Sequence, residues 1–187
     1  MKRIVILASG SGSNAENLIR FFQDSNQASV VQVLTNNPRA KVIERCNRLN
    51  VSCMSFNKTA FNKTNDVLNI LKNNNPDLIV LAGFLWKIPE NILNVFEKKI
   101  INIHPALLPK YGGKGMYGMH VHEAVVNNSE RETGITIHFV NENYDEGAII
   151  FQEKCDVSPE DKAEDVAKKI HELEMTHFPK VVESLLK

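Results

Sequence analysis

Two polar side chains at the end of a short apolar strand have types and spacing suited to chemistry. The strand is predicted to begin at Lys99, and because side chains alternate along a strand, Asn102 and His104 point to the same face. Pro105 and Pro109 prevent a continuing central strand or a regular helix, so the chain leaves the sheet as a fixed loop. A lone histidine here would most often bond locally, but an amide beside the imidazole favours a catalytic site.

A glycine-rich turn forms a second candidate site at residues 10–15, with the sequence Gly-Ser-Gly-Ser-Asn-Ala. It follows a buried strand and opens a helix, where unpaired backbone N–H groups and the positive end of the helix dipole favour a phosphate. The same residues match the loose dinucleotide-binding motif G-x-G-x-x-A, which also needs an acidic residue after the second strand. Residues 35–37 are Thr-Asn-Asn, so NAD is disfavoured. The alternative is a tight turn that uses glycine only for its backbone angles.

Apolar runs of strand length alternate with helical patterns along the first hundred residues. Strands are predicted at 4–8, 30–34, 51–56, 78–82 and from 99 onwards. Helical patterns lie between them, around Leu18 to Phe22 and at 42–49, 61–74 and 89–96. This alternation predicts an α/β fold: a doubly wound, mostly parallel sheet with helices on both faces and a Rossmann-like N-terminal half.

The C-terminal part continues with elements of both kinds. A helix is predicted at 121–126, and strands are predicted at 134–140 and 148–157. Residues 158–161 open a last amphipathic helix, which is expected to be interrupted or kinked at Pro179.

In a doubly wound sheet the ligand lies beyond the carboxyl ends of the strands, where the strand order reverses. With the first strand central, this crevice falls between the loops after Ala8 and after Ala82. The second loop holds Trp86, the only tryptophan, which could receive a flat ring or have an ordinary packing role. Residues 110–118 include four glycines and are predicted to form a loop that moves when ligand binds.

Length and composition limit the class of protein. The 187 residues are enough for one domain with a core, so a single domain over 1–187 is expected. The 22 basic and 22 acidic residues cancel without long runs of either sign, which favours neither nucleic acid nor a membrane surface as a partner. Three cysteines without C-x-x-C spacing, no signal peptide pattern and no apolar run of membrane-spanning length predict a cytoplasmic protein that binds small molecules.

Asp145 lies in a loop between two predicted strands, where most acidic residues are only solvated. The spacing in the sequence does not show whether Asp145 lies close to His104. A carboxylate close to that imidazole would raise the pKa of the histidine from about 6.5. The pair could then transfer a proton or stabilise an oxyanion. Other histidines lack partners at metal-ligand spacing, so no metal is expected and they are interpreted as surface or helix-face residues. They are His120, His122, His171 and His177.

The motif Asn102-x-His104-Pro105, followed by Leu107-Leu108-Pro109 and later by Asp145, resembles the active site of the folate-dependent formyltransferases. The likeness runs over essentially the whole chain, from the glycine turn through Leu81-Ala82-Gly83-Phe84 to Glu174. The N-x-H-P motif with the later aspartate is specific for this superfamily. The glycine-serine-asparagine turn and the short length are similar to its purine-synthesis branch.

The resemblance implies transfer of a formyl group from the co-substrate 10-formyltetrahydrofolate to the amine of glycinamide ribonucleotide (GAR). The implied catalytic residues are Asn102, His104 and Asp145. The implied GAR-binding residues are Gly12, Ser13, Asn14 and Glu174. The implied folate-binding residues are Thr64, Leu85, Trp86, Lys87, Ile88, Asn102, Asn141 and Tyr144. A monomer or a homodimer is expected, with these small molecules as its partners.

The mechanism that the resemblance implies depends on charge. The substrate amine attacks the formyl carbon, and Asn102 with protonated His104 stabilises the negative charge that grows on the formyl oxygen. Asp145 would keep His104 charged and help to relay the proton.

A deformylating hydrolase or a methionyl-tRNA formyltransferase is an alternative function, although both usually have a second domain and a tRNA enzyme should have a basic surface. A non-catalytic phosphate or nucleotide sensor on the same fold is the rival from a different class.

Overall fold

The computed structural model describes residues 1–187 and is organised around a seven-stranded sheet with the strand order β3-β2-β1-β4-β5-β6-β7. The strands are β1 (Lys2–Leu7), β2 (Ala28–Thr35), β3 (Cys53–Ser55), β4 (Leu78–Leu81), β5 (Ile100–His104), β6 (Glu132–Phe139) and β7 (Ile149–Asp156). The helices are α1 (Ser13–Ser25), α2 (Val42–Arg48), α3 (Lys58–Asn62), α4 (Asp66–Asn74), α5 (Glu90–Val95), α6 (Met119–Asn127) and α7 (Ala163–Leu185). The predicted α/β sheet is confirmed.

The strand β1 lies in the middle of the sheet and has buried apolar side chains on both faces. Alternation sends Ile4 and Ile6 to one face and Val5 and Leu7 to the other, and all four are at most 1% exposed. The first face belongs to a core of 27 buried residues that includes the inner sides of α1 and α7. The second face belongs to a core of 15 buried residues with α4 and α5.

The strand order reverses at β1, which pairs in parallel with β2 on one side and with β4 on the other. Parallel strands on both sides of a reversal leave a crevice at their carboxyl ends. Two hydrogen bonds join the loops that border this crevice. Ser9 N donates to Gly83 O at 3.0 Å, and Leu85 N donates to Ser9 Oγ at 3.0 Å.

Three strands at the other side of the sheet, β5, β6 and β7, pair antiparallel. Their register places Asn102 of β5 directly opposite His138 of β6. Since opposite residues of neighbouring strands share a face, both side chains reach the same end of the crevice. The strands β6 and β7 pack tightly at Gly134, where an added Cβ would lie 2.0 Å from Glu153 O.

The helical region predicted at 61–74 is two helices, α3 and α4, separated by Lys63, Thr64 and Asn65. Asn57 caps α3, its Oδ1 accepting a hydrogen bond from Ala60 N at 2.9 Å. At the start of α4, Thr64 Oγ1 donates to Asp66 Oδ2 at 2.6 Å. Short polar side chains that bond locally compete with helical backbone bonds, which explains the break.

The last helix, α7, continues through Pro179 to Leu185, so the expectation of an interruption there is wrong. Proline has no N–H, and the carbonyl of Met175, four residues earlier, therefore lacks its helical donor. Asn17 of α1 supplies a replacement, with its Nδ2 2.9 Å from Met175 O. A tertiary contact thus compensates for the proline.

Replacing Gly134 with alanine is expected to destabilise the protein by about 1–3 kcal/mol, because the added Cβ would overlap Glu153 O and lie 2.8 Å from Leu107 Cδ2. Urea unfolding would measure the loss. Gly10→Ala is the matched control, since nothing lies within 4 Å of a Cβ at that position. Equal stability of the two variants would show that β6 and β7 can move apart at position 134 without a loss in the free energy of unfolding.

Candidate active site

A cavity of about 780 Å³ opens at the carboxyl ends of β1, β4 and β5, in the crevice predicted from the sequence. Its walls come from the glycine turn, the loop after β4, the end of β5, the loop before α6, the loop after β6 and one face of α7. Every residue predicted for a site lines this cavity except Thr64. Thr64 lies in the exposed link between α3 and α4, with its hydroxyl on Asp66.

Asn102, His138 and Asp145 form a triangle of polar groups at one end of the cavity. The Nδ2 atom of Asn102 lies 3.1 Å from His138 Nε2 and 3.3 Å from Asp145 Oδ1. His138 Nδ1 lies 2.9 Å from Phe139 O, and because a carbonyl oxygen only accepts, Nδ1 donates and Nε2 of a neutral ring is free to accept. The amide of Asn102 therefore donates to both neighbours, which fixes its orientation.

His104 is buried, with both ring nitrogens facing oxygen atoms. Its Nε2 donates to the carbonyl oxygen of Tyr111 at 2.7 Å, and its Nδ1 lies 3.5 Å from Asp145 Oδ2. Tyr111 belongs to the glycine-rich loop, so that loop closes over the imidazole. The proximity of Asp145 to His104 could not be inferred from the sequence, and the fold places the two side chains next to each other.

Asp145 is held in place by several donors. Its Oδ2 accepts from Gly113 N at 2.9 Å, and its backbone has a φ of 57° in the left-handed region. Burial alone would raise the pKa of this carboxyl group, but the neighbouring imidazoles of His138 and His104 and the Gly113 N–H together lower it. Asp145 is therefore a carboxylate at neutral pH.

The expected rise in the pKa of His104 is wrong. Burial lowers the pKa of this imidazole, and it outweighs the charge of Asp145 and the hydrogen bond with Tyr111, which act in the other direction. The nearby imidazole of His138 lowers the pKa further. His104 is thus predominantly neutral at pH 7.

The glycine turn at the other end of the cavity requires glycine at position 12. Gly12 has a φ of 74°, and an added Cβ would lie 2.5 Å from the Val42 side chain. The close approach of α2 fixes the turn, since Val42 N donates to Gly10 O at 3.2 Å and Arg45 Nε donates to Ser11 O at 2.7 Å. Gly12, Ser13 and Asn14 line the cavity at the first turn of α1, whose first N–H groups have no acceptor within the helix.

Two of the predicted GAR-binding side chains contact each other. Asn14 Nδ2 donates to Glu174 Oε2 at 2.9 Å, while Asn14 Oδ1 is buried without a hydrogen-bond partner. Burial raises the pKa of Glu174 to about 7, and the single bond from Asn14 acts against this rise. Glu174 therefore changes its charge close to physiological pH, unlike Asp145 at the other end of the same cavity.

The wall predicted to bind folate is largely aromatic and apolar. Trp86 packs against Phe56, Phe61 and Phe84, with ring centroids 6.0, 5.8 and 6.4 Å away, and it also lines the cavity. The packing role considered for this tryptophan is therefore confirmed, and the binding of a flat ring stays a prediction. Asn141 and Tyr144, from the loop after β6, line the cavity close to Asp145.

Three histidines that line the cavity, His122, His138 and His171, were not identified as site residues from the sequence. His171, interpreted as a surface or helix-face residue, is half exposed on α7. Alternation along the strand at 134–140 was the available signal for His138, but only the pairing of β5 with β6 shows that it faces Asn102. His122 was interpreted as a surface or helix-face residue, yet it is 6% exposed and lines the cavity. Burial is the main cause that lowers its pKa, with His104 as a smaller one.

Sequence and structure comparisons connect this geometry with known proteins. The family model described as formyl transferase matches residues 2–182. The chain belongs to the formyl transferase family. It is 34% identical to the phosphoribosylglycinamide formyltransferase of Bacillus subtilis, a match that covers all of this chain and 95% of that protein. It is 35% identical to the chloroplastic phosphoribosylglycinamide formyltransferase of Arabidopsis thaliana, where the match covers 97% of this chain and 64% of the relative.

Solved structures of the formyl transferase family share the fold over the whole chain. The crystal structure of glycinamide ribonucleotide transformylase 1 from Geobacillus kaustophilus superposes with a TM-score of 0.91 at 33% identity, and the match covers all of both chains. No group of three or more His, Cys, Asp or Glu side chains is arranged to hold a metal ion. None of the helices is long and apolar enough to cross a membrane.

Replacing Glu174 with glutamine is expected to stabilise the protein by up to about 3 kcal/mol at pH 8. The folded protein binds this proton more tightly than the unfolded chain, because the pKa rises from 4.5 to about 7 on folding. Stability of the unmodified protein therefore falls as the pH rises between these values. Chemical denaturation at several pH values would measure the difference between the two proteins, which should vanish near pH 4. A stability difference that stays constant at every pH would contradict the raised pKa of Glu174.

Proposed function

We propose that this protein transfers the formyl group of 10-formyltetrahydrofolate to the amine of GAR, giving formyl-GAR and tetrahydrofolate in purine biosynthesis. The observation that carries the proposal is one cavity that joins Asn102, His104 and Asp145 at one end with a phosphate-type turn at the other. The formyl transferase family uses 10-formyltetrahydrofolate as the formyl donor. The full-length match with the Bacillus subtilis enzyme supports GAR as the acceptor.

The proposed binding mode places the two substrates at different walls. The phosphate of GAR lies on the backbone N–H groups of Gly12, Ser13 and Asn14, where the dipole of α1 attracts an anion. Glu174 accepts from the hydroxyl groups of the ribose. The folate ring lies along Leu85, Trp86, Lys87 and Ile88, and the loop with Asn141 and Tyr144 closes over it. Thr64 is kept as a folate contact in this proposal, although it lies outside the cavity wall.

The proposed reaction is an acyl transfer. The neutral amine of GAR attacks the formyl carbon, a C–N bond forms, and negative charge develops on the formyl oxygen. Asn102 and the protonated form of His104 stabilise that charge. The bond from the formyl carbon to N10 of the folate then breaks, the amine loses one proton and N10 gains one, with Asp145 and His104 relaying it.

The proposal also covers the domain organisation, the oligomeric state, the partners and the cellular compartment of the enzyme. Residues 1–187 act as a single formyltransferase domain, as a monomer or a homodimer, on small molecules rather than on nucleic acid or a membrane. The balance of 22 basic and 22 acidic residues supports this choice of partners. The cytoplasm is the proposed compartment, and fractionation of cells that express a tagged chain would test it.

A formyl-transfer assay tests the proposed function directly. The purified protein with GAR and 10-formyltetrahydrofolate is expected to release tetrahydrofolate and formyl-GAR in equal amounts. A reaction without GAR detects simple hydrolysis of the folate. Release of tetrahydrofolate at the same rate with and without GAR would identify a hydrolase, and no turnover in either reaction would favour a non-catalytic sensor.

His104→Ala and Asp145→Asn are each expected to lower kcat by about 10²–10⁴-fold while leaving the Kd for GAR within about threefold. In the proposed reaction His104 stabilises the charge that develops on the formyl oxygen and Asp145 acts with it in the proton transfer, whereas the phosphate is held at the far end of the cavity. Steady-state kinetics and calorimetric titration with GAR would measure the two quantities separately.

His120→Ala is the control for the loss of an imidazole, since His120 is exposed and does not line the cavity. It should retain kcat within about twofold. Unchanged kcat in both His104→Ala and Asp145→Asn would remove these residues from the catalytic set, and equal losses of kcat and of GAR affinity would indicate a structural role instead.

A further inference from the structure

A side chain that does not line the cavity holds the glycine turn in place. The guanidinium group of Arg45 on α2 donates from Nε to the carbonyl oxygen of Ser11 at 2.7 Å, and its Nη1 forms an ion pair with Glu16 in the first turn of α1. Ser11 lines the cavity, whereas Arg45 and Glu16 do not. The arginine therefore connects α2, the glycine turn and α1 from outside the space that a ligand would occupy.

The bond to Ser11 sets the direction of the peptide group between Ser11 and Gly12. This peptide group is trans, since the cis bond of the chain is Leu108–Pro109. In a trans peptide the carbonyl oxygen and the following N–H point to opposite sides. Because Arg45 holds the Ser11 oxygen on its own side, the N–H of Gly12 points away from Arg45. Gly12 lines the cavity and its N–H makes no hydrogen bond with another backbone group, so it is available to a ligand.

Two other arginines bind the same carboxylate, but neither forms a hydrogen bond with the glycine turn. The nearest guanidinium nitrogens of Arg20 and Arg48 lie 2.8 and 3.2 Å from oxygen atoms of Glu16, and both side chains are more exposed than that of Arg45. The bonds from Arg20 and Arg45 are the largest causes that lower the pKa of Glu16, so this carboxyl group is ionised at neutral pH. Arg45 is thus the arginine of this cluster that combines its charge with a bond to the turn.

We propose that Arg45 is a positioning residue for the phosphate of the ribonucleotide: by holding the carbonyl oxygen of Ser11, it directs the N–H of Gly12 towards the phosphate. The inference rests on the proposed function, because it takes GAR as the ribonucleotide. A second observation indicates a ligand at this turn, since Asn14 is 9% exposed, lines the cavity and has a buried Oδ1 without a partner. A hydroxyl group of the ligand would supply the missing donor.

Positioning and general attraction predict different effects for the three arginines. Salt screens charges over about 8 Å at physiological ionic strength, so general attraction gives Arg20, Arg45 and Arg48 comparable effects on a phosphate at the turn. Positioning confines the effect to Arg45, because the other two do not bond to Ser11. It also confines the effect to ligands that carry a phosphate. In the proposed binding mode the formyl group reacts at the other end of the cavity, so kcat should be preserved.

Steady-state kinetics with two acceptors, GAR and its dephosphorylated form glycinamide riboside, test the inference at saturating 10-formyltetrahydrofolate. Arg45→Ala is expected to raise the KM for GAR by roughly tenfold while kcat stays within about twofold, because misdirected N–H groups lose charge-assisted hydrogen bonds to the phosphate. The kcat/KM for the riboside should change by less than about twofold, since that acceptor has no phosphate.

Arg48→Ala is the matched control, because it removes one positive charge from the same carboxylate without removing a bond to the turn. Its KM for GAR should stay within about twofold of the wild-type value. Arg45→Lys is the second variant. It keeps the charge but lacks the planar fork that bonds to Ser11 and Glu16 together, so the KM for GAR should rise by about threefold. Urea unfolding checks that each variant is folded, and Arg45→Lys carries the test if Arg45→Ala is not.

Equal losses of kcat/KM with GAR and with the riboside would indicate a structural role for Arg45. An increase in KM for Arg48→Ala as large as that for Arg45→Ala would indicate general attraction. Either result would overturn the inference while the proposed function stands. A wild-type protein that does not formylate GAR would overturn both.

Discussion

The carboxylate of Asp145 joins the segments that form the end of the cavity holding Asn102 and His104. Its two oxygen atoms contact Asn102 on β5, His138 on β6 and Gly113 in the glycine-rich loop, and one of them faces His104. A buried carboxylate is costly unless donors surround it, so these neighbours and the loop must be in place together. The left-handed backbone at Asp145 is held by the same contacts.

One cavity holds two carboxyl groups whose surroundings shift their pKa values in opposite directions. Asp145 has several donors and its pKa falls, whereas burial outweighs the single amide donor of Glu174 and its pKa rises to about 7. Different environments for two groups of the same type separate a permanent charge from a titrating one. In the proposed function, the permanent charge lies where protons are transferred and the titrating charge lies where the ribonucleotide binds.

Much of the fold could be predicted because apolar strand runs and helical patterns are local signals. The glycine turn and the Asn102 and His104 pair were identified for the same reason, since each depends on residues a few positions apart. The break between α3 and α4 depends on local hydrogen bonds of short polar side chains, which apolar periodicity does not show. The passage of α7 through Pro179 and the place of His138 depend on contacts between distant segments. Periodicity cannot show that Asn17 replaces the donor missing at Pro179, or that burial outweighs Asp145 at His104.

The geometry around His104 favours a charge that its burial opposes. A neutral ring can donate to only one of the two oxygens that its nitrogens face, and since Nε2 donates to Tyr111, an unprotonated Nδ1 presents a lone pair to Asp145 at 3.5 Å. Protonation would turn that contact into a charge-assisted hydrogen bond. In the proposed reaction, negative charge growing on the formyl oxygen beside the ring would add to this preference and would stabilise the imidazolium in the transition state. Nε2 can reach such an oxygen only if the carbonyl of Tyr111 moves away, which links the protonation of His104 to the position of the glycine-rich loop.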